Sequence, residues 1–517
     1  MVTEDQRDVV ALLLRPETHG PACAAVEHIE THSAIVFLAG NRALKLKRAV
    51  RYDYLDFSTV ERRRQCCEAE VALNRRLAPA LYRGVVAVTL EPDGTLALAG
   101  AGTPVEWLVD MTRFDGAALA DRLAEAGKLP LDHMPGLAGT VAMFHMNAEW
   151  RLDHGGAAGM RWVVEGNRAA FVEFGEALGA AAARTRLADD AARVLDAVAA
   201  PLDRRQRAGL VRQCHGDLHL GNIVLLDGTL TPFDAVEFND DISCIDVGYD
   251  LAFLLMDLCH RALPRHANLV LNEYLRNTGD LDSLALLPLF LSCRAAVRAK
   301  TNATAATLAA APERRVLLEV ARQYLDLAQA FLAPPAPVLV AIGGLSGAGK
   351  STAAALVAPL VGPAPGALHL RTDVIRKALC GVAPLDRLPG DAYAADVTAR
   401  VYERIRRDAG TALAAGHAVV CDGVFGAAAE RRALADVSGR AGVPLVALWL
   451  DAPEATLLAR VERRRDDASD ATAEVVRSQV AHTPPPADWT RVDASGAAEV
   501  TAARVISLLT ARGVPCR

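Results

Sequence analysis

Two short segments of this chain set glycines, cations and hard oxygen donors at spacings that chemistry on phosphate requires. One is Gly344-Leu345-Ser346-Gly347-Ala348-Gly349-Lys350-Ser351, with Thr352 directly after it. It fits G-x-x-x-x-G-K-[ST], follows the apolar run Val338–Ile342 and opens a stretch of helical spacing, the two contexts the motif needs. Its glycines let backbone N–H groups close around phosphate oxygens, and the N-terminus of the following helix adds positive potential. Lys350 would meet the β- and γ-phosphates of a nucleotide, and Ser351 would hold Mg²⁺. The bland alternative is a glycine-rich turn that binds nothing.

The other segment is His215-Gly216-Asp217-Leu218-His219-Leu220-Gly221-Asn222, with the spacing H-x-D-x-x-x-x-N. In a loop of that spacing Asp217 receives the proton of a substrate hydroxyl and Asn222 holds Mg²⁺. After the apolar run Ile223–Leu226 and a turn at Asp227-Gly228 comes Phe233-Asp234, which places Asp234 as the second metal-binding group. Mg²⁺ takes few carboxylates beside phosphate oxygens, and one Asp with one Asn suffices. Upstream, Lys45 lies at the end of a strand-like run, and Glu70 lies on a helix whose Cys66, Leu73 and Leu77 share its face. An inward Glu is costly unless paired. Lys45 is the natural partner, and Lys47, on the same strand face, is the alternative. A surface basic strand with a partly exposed Glu is the reading that needs no site.

Four more features surround the glycine-rich segment. Asp373, in Arg371-Thr372-Asp373-Val374-Ile375-Arg376, is placed to accept a hydroxyl proton or to cap a helix, and Arg376 to bind an anionic group. Asp422 ends the apolar run Ala418–Cys421, at the sheet edge where ligands gather; it either orients Mg²⁺ through water or caps the next helix. Arg460 and Arg464, four apart, would share a helix face and aim at a transferring phosphoryl group. Arg463 and Arg465 fit a solvated face.

The elements that must position these residues divide the chain. An amphipathic stretch from Glu313 to Phe331 ends in Ala333-Pro334-Pro335-Ala336-Pro337, so a junction is expected near residue 335, giving domains 1–335 and 336–517. Beyond it, apolar runs at 338–342, 418–421 and 445–450 alternate with helical stretches, the pattern of a doubly wound parallel α/β sheet. Before it, Ser33–Lys47 gives two strands around Ala39-Gly40-Asn41, Ser58-x-x-Glu61 opens a helix with capping-box spacing, and helical patterning dominates from about residue 116. The expected fold is thus α+β, strand-rich then helical, followed by α/β. With 52% hydrophobic and 23% charged residues, the 517-residue chain is too apolar for disorder. A net charge of -6 argues against coating nucleic acid or an anionic membrane. The absence of a secretion-signal layout, of a long apolar span and of Cys-x-x-Cys points to a cytoplasmic protein without a disulfide framework.

The segments from Gly344 to Ser351, Arg371 to Arg376, Arg460/Arg464 and Ser478-Gln479 resemble the gluconate kinase, polynucleotide kinase and zeta-toxin group of P-loop kinases over most of 338–517. That resemblance implies ATP-dependent phosphorylation of a hydroxyl, with both arginines on a mobile lid. His215 to Asn222, Asp234 and Gly248-Tyr249-Asp250-Leu251-Ala252 resemble the aminoglycoside phosphotransferase family over roughly residues 25–300. It implies a bilobal, protein-kinase-like fold with nucleotide at a hinge near Val109-Asp110-Met111 and a structural Asp250. The domain order, Lys45-Leu46-Lys47 and Leu55-Asp56-Phe57-Ser58-Thr59 are similar to the bacterial bifunctional aminoglycoside phosphotransferase/ATP-binding protein family. One departure is plain: the turn Thr31-His32-Ser33 stands where G-x-G-x-x-G would cover the phosphates. The expectation is a two-site phosphotransferase using ATP and Mg²⁺ on a small-molecule hydroxyl substrate, with no nucleic-acid or membrane partner. The alternative is a regulatory protein whose first domain senses nucleotide without transfer.

Overall fold

Alternation along Ala34–Lys47 decides what faces what. Phe37, Leu44 and Leu46 enter one core with Val88 and Leu108, while Ala43 enters another with Cys67, Val71 and Val109. A period of two therefore sends Ala43, Lys45 and Lys47 to a single face. The computed structural model describes residues 3–52, 54–179, 181–464 and 467–516. They form two units, Met1–Val163 with Ala199–Asp257, and Val164–Val198 with Leu258–Arg517.

In the first unit β1 (Val26–Glu30), β2 (Ala34–Ala39) and β3 (Arg42–Lys47) precede a small separate hairpin, β4 (Arg51–Tyr52) with β5 (Leu55–Asp56). β6 (Tyr82–Leu90), β7 (Leu96–Leu98) and β8 (Thr103–Thr112) complete a six-stranded antiparallel sheet in the order β1-β2-β3-β8-β6-β7. The helix Val60–Asn74 covers the face that carries Lys45 and Lys47. Its N-cap is Thr59, whose hydroxyl accepts from Arg62 N–H, rather than Ser58. The reason is local: the Asp56 carboxylate takes the Ser58 N–H in an Asx turn and holds Ser58 outside the helix. Beyond the sheet, β9 (Val211–Gln213), the hairpin β10 (Ile223–Leu226) with β11 (Thr229–Pro232), and β12 (Cys244–Asp246), which pairs with β9, frame the His215–Asn222 loop. The helix Arg7–Leu13 packs Val9 and Leu13 on the other face of the sheet, with Phe37, Leu44 and Leu46.

The segment Val109-Asp110-Met111, near which a hinge is expected, lies at the end of β8. Leu44 pairs with Asp110 and Lys45 with Val109, and Arg42 grips the Asp110 carboxylate through Nε and Nη2 at 2.7 and 3.0 Å. The chain leaves the sheet only after Thr112.

The second unit contains a parallel sheet of β13 (Leu339–Gly344), β14 (Leu368–Arg371), β15 (Val419–Asp422), β16 (Leu445–Asp451) and β17 (Thr490–Asp493), in the order β14-β15-β13-β16-β17. All of β13 is buried, as a near-continuous apolar run in a parallel sheet must be. The order reverses at β13, so its carboxyl end is the switch point where α/β sheets take their ligands. The amphipathic stretch before the prolines is the helix Ala311–Leu332, which packs on the helix Leu287–Leu308 within this same unit. Among the described residues no helix is long and apolar enough to cross a membrane.

Candidate active sites

In the first unit, β3 and the helix Val60–Asn74 bring five charged side chains into one chain of contacts. Lys45 Nζ lies 2.6 Å from Asp234 Oδ1 and 2.9 Å from Glu70 Oε1; Lys47 Nζ lies 2.6 Å from Glu70 Oε2 and also bonds Glu237. Both lysines left open by the sequence thus hold Glu70, one on each oxygen. Glu70 is wholly buried, and the buried stripe of its helix runs through Arg63, Cys67 and Asn74, with Cys66 at its margin and Leu77 beyond the helix end. Burial alone would raise the Glu70 carboxyl, but Lys45 and Lys47 outweigh it and hold it below the usual range. Glu237, with a single bonded cation, stays raised by burial. Neither Glu237 nor Asn74 stands out in the sequence. Asn74 Oδ1 accepts from Ala235 N–H at 2.8 Å and pins the residue after Asp234. Asp234 itself has φ +62, a left-handed backbone that a non-glycine residue adopts only under constraint.

The predicted base sits on the His215–Asn222 loop, before the β10–β11 hairpin. Asp217 accepts from Asn222 Nδ2 at 2.9 Å, which leaves the Asn222 amide oxygen as its acceptor group. His219 Nδ1 accepts from Gly221 N–H at 3.0 Å, so its protonated Nε2 faces Asp217 Oδ2 at 3.3 Å. Behind them Asp250 is buried and accepts from His215 N–H and Gly216 N–H at 3.1 and 2.9 Å, a structural anchor. His215 Nε2 bonds Phe233 O at 2.9 Å and ties the loop to the strand end before Asp234. The turn Thr31-His32-Ser33 joins β1 to β2, closed by Ala34 N–H on Thr31 Oγ1 at 3.0 Å.

In the second unit, Ser346 to Thr352 line a cavity of about 930 Å³; Gly344 ends β13 and Leu345 follows it. Gly347 has φ +85, and a Cβ there would stand 2.5 Å from Leu457 O, so only glycine fits. The helix Lys350–Val357 starts at the loop, with Lys350 Nζ 3.0 Å from Leu345 O. Asp373 lies in the first turn of the helix Thr372–Leu379, whose N-cap is Arg371, and lines the cavity. Burial raises its carboxyl; Lys350 opposes this without cancelling it. Arg376 is buried on the cavity wall, with Nη1 2.8 Å from Ala392 O and its guanidinium 4.8 Å over the Tyr393 ring.

Asp422 lies beneath the loop rather than on the cavity wall. One oxygen accepts the Ser351 hydroxyl at 3.1 Å and the other meets His369 Nε2 at 2.7 Å. It does not cap the next helix, which begins at Ala428 with Ala427 as N-cap. Arg460 and Arg464 both line the cavity, but not from one helical face: the helix Glu454–Arg463 ends first, and Arg464 is its extended C-cap. Arg460 donates to Ala494 O and Gly496 O at 2.8 and 2.6 Å, which holds that loop near the phosphate side. Gln479, noted only in a resemblance, places Oε1 2.8 Å from Ser346 N–H in the glycine-rich loop. Arg465 lies outside the described residues.

Residues 339–486 match the AAA domain family, which covers the glycine-rich loop, Asp373, Asp422 and the two arginines. Over 491 residues the chain is 31% identical to an uncharacterized protein of Mycobacterium tuberculosis (strain ATCC 25618 / H37Rv), spanning 91% of this chain and 92% of that protein. The chain belongs to that protein's family. Among solved structures it is similar to a choline/ethanolamine kinase family protein from Mesorhizobium loti, at 10% identity over 63% of this chain and 98% of that one, TM-score 0.36. It is also similar to a sugar kinase from Janibacter sp. HTCC2649, at 19% identity over 34% of this chain and 95% of that one, TM-score 0.27.

Proposed function

We propose that the chain is an ATP-dependent phosphotransferase with two sites, each moving a phosphoryl group to a hydroxyl of a small molecule. The observation that carries this is that each unit gathers a candidate base, phosphate-facing cations and a few hard oxygens within one site, as phosphoryl transfer requires. The donor sets suit Mg²⁺: Asn222 amide and Asp234 carboxylate oxygens in the first unit, the Ser351 hydroxyl backed by Asp422 in the second. When bound, Mg²⁺ would neutralise charge on the phosphate oxygens. Asp217 then takes the acceptor proton, and His219 and Asn222 hold its carboxylate in place. Lys45 turns from Asp234 toward phosphate while Glu70, still paired with Lys47, keeps it oriented. In the second unit the backbone N–H groups of the loop and Lys350 cradle phosphates, Asp373 takes the proton, and Arg460 and Arg464 face the transferring group. Arg376, buried over Tyr393, suits an acceptor that carries negative charge.

The test is a metabolite screen with γ-labelled ATP on the full chain and on separate Asp217→Asn and Asp373→Asn variants. Each substitution should abolish one set of phosphorylated products. Turnover at the second site should fall as pH drops through a value above the ordinary 3.8 of an aspartate, because a raised carboxyl protonates earlier. If neither substitution changes the products from any acceptor, the assignment of both bases is wrong. A second reading, a nucleotide sensor in the first unit, is favoured by the three-residue turn at 31–33 and by the direct Lys45–Asp234 contact. It predicts ATP binding that Asp217→Asn leaves unchanged, with no product formed at that site.

A further inference from the structure

The parallel sheet ends at β14, and an edge strand leaves every second N–H and C=O without a strand partner. The helix Pro264–Thr278 covers this edge with two asparagines. Asn268 Nδ2 donates to Ala367 O at 3.0 Å and Asn272 Nδ2 to the same oxygen at 3.2 Å, while Asn272 Oδ1 accepts from His369 N–H at 2.7 Å. The Asn272 carboxamide therefore stands in for one residue of a sixth strand. His369 is held at both its backbone and its ring. Asn272 clamps the backbone, and the ring sends Nε2–H to Asp422 Oδ2 at 2.7 Å; a carboxylate only accepts, so that nitrogen carries the proton. Arg371 approaches the same oxygen only to 3.9 Å. The other Asp422 oxygen accepts the Ser351 hydroxyl at 3.1 Å. Because Ser351 gives its proton to Asp422, its lone pairs are left for a cation. A line of hydrogen bonds thus runs from a helix outside the AAA-matched residues to the hydroxyl that faces the phosphates.

We infer that His369 and Asn272 are positioning residues of the P-loop site, fixing the Asp422 carboxylate so that Ser351 presents oxygen to the divalent cation that accompanies ATP. The inference rests on the nucleotide-site reading given above. Groups that orient metal ligands from behind typically matter by about 10- to 100-fold in metal affinity. The two asparagine contacts also explain why an uncharged helix face is buried against a sheet edge.

The experiment measures ATP affinity of the full chain with Mg²⁺ and with EDTA, at the site that Lys350→Ala abolishes. His369→Phe should reduce the Mg²⁺-dependent gain in ATP affinity by about 10-fold or more and leave binding in EDTA unchanged. His369→Gln, whose amide N–H reaches toward the same oxygen, should recover most of the gain. Asn272→Ala should act in the same direction as His369→Phe, and Asn272→Asp, which keeps the acceptor for His369 N–H, should act less. An unchanged Mg²⁺-dependent gain in His369→Phe overturns the inference, as does an equal loss with and without Mg²⁺, which would mark a purely structural role. A chain with no Lys350-dependent ATP binding at all brings down the nucleotide-site reading and this inference together.

Discussion

Glu70 has no exposed surface and two cations on its oxygens, so its removal takes one of two carboxylates from each buried lysine and leaves Lys45 on Asp234 and Lys47 on Glu237 alone. Breaking a buried pair by deleting one partner typically costs about 3–5 kcal/mol. Glu70→Ala should therefore destabilise the first unit by about that much in urea titration, and more than Asp234→Ala, whose carboxylate is 41% exposed. The pH dependence has a definite sign. A carboxyl held below its ordinary 4.5 contributes fully above that value and loses its contribution as pH falls below it, because the folded state then resists a proton the unfolded chain accepts. Glu237 is raised by burial and works in the opposite sense, so the acid limb of the wild-type stability curve should steepen in Glu237→Gln. At this scale spacing alone singled out Asp217, Asn222, Asp234 and Lys350, and the fold brings Asn222 to Asp217, Lys45 to Asp234 and Lys350 to the glycine-rich loop. Glu237, Asn74 and His369 escaped notice because a lone Glu, Asn or His is common, and only the folded backbone brings each to its partner.

Elements were legible where one strong period governs them. The strands at 338–342, 418–421 and 445–450 and the helix before the prolines all form, since an apolar run or a helical stripe has a single way to bury itself. Termini and junctions were less so. Thr59 rather than Ser58 caps its helix because Asp56 competes for Ser58, a contact between side chain and backbone that no spacing rule contains. The strand runs through Val109–Met111 because those residues pair with β3 on one side and β6 on the other. Arg464 leaves its helix, so although both arginines line the cavity they do not share the helix face that i, i+4 spacing predicts. The glycine-rich loop is the element with least freedom. Gly347→Ala sets a methyl group 2.5 Å from Leu457 O at φ +85, and backbone at both ends of that contact gives no room. This variant should lose nucleotide binding at the second site while its circular dichroism stays native, since the loop and not the sheet carries the clash. Gly439→Ala, with open space at its Cβ in the helix Ala428–Ala441, is the control that should bind normally.

At the scale of the whole chain, each unit builds its candidate site from its own residues: every contact described around Asp217 comes from 1–163 and 199–257, and every contact described around Lys350 from the remainder. Sites that share no side chain and no hydrogen-bond network are expected to behave additively. A calorimetric titration of the full chain with Mg-ATP should therefore give two binding events per chain. Lys350→Ala should remove one of them, Lys45→Ala the other, and the double variant both, with the affinity of each surviving site the same as in the wild type. A single event that both substitutions weaken would contradict the two-site reading. A surviving site whose affinity shifts with the other's loss would show energetic coupling between the two sites. The net charge of -6 bears on none of this, because each site is locally organised around its own cations.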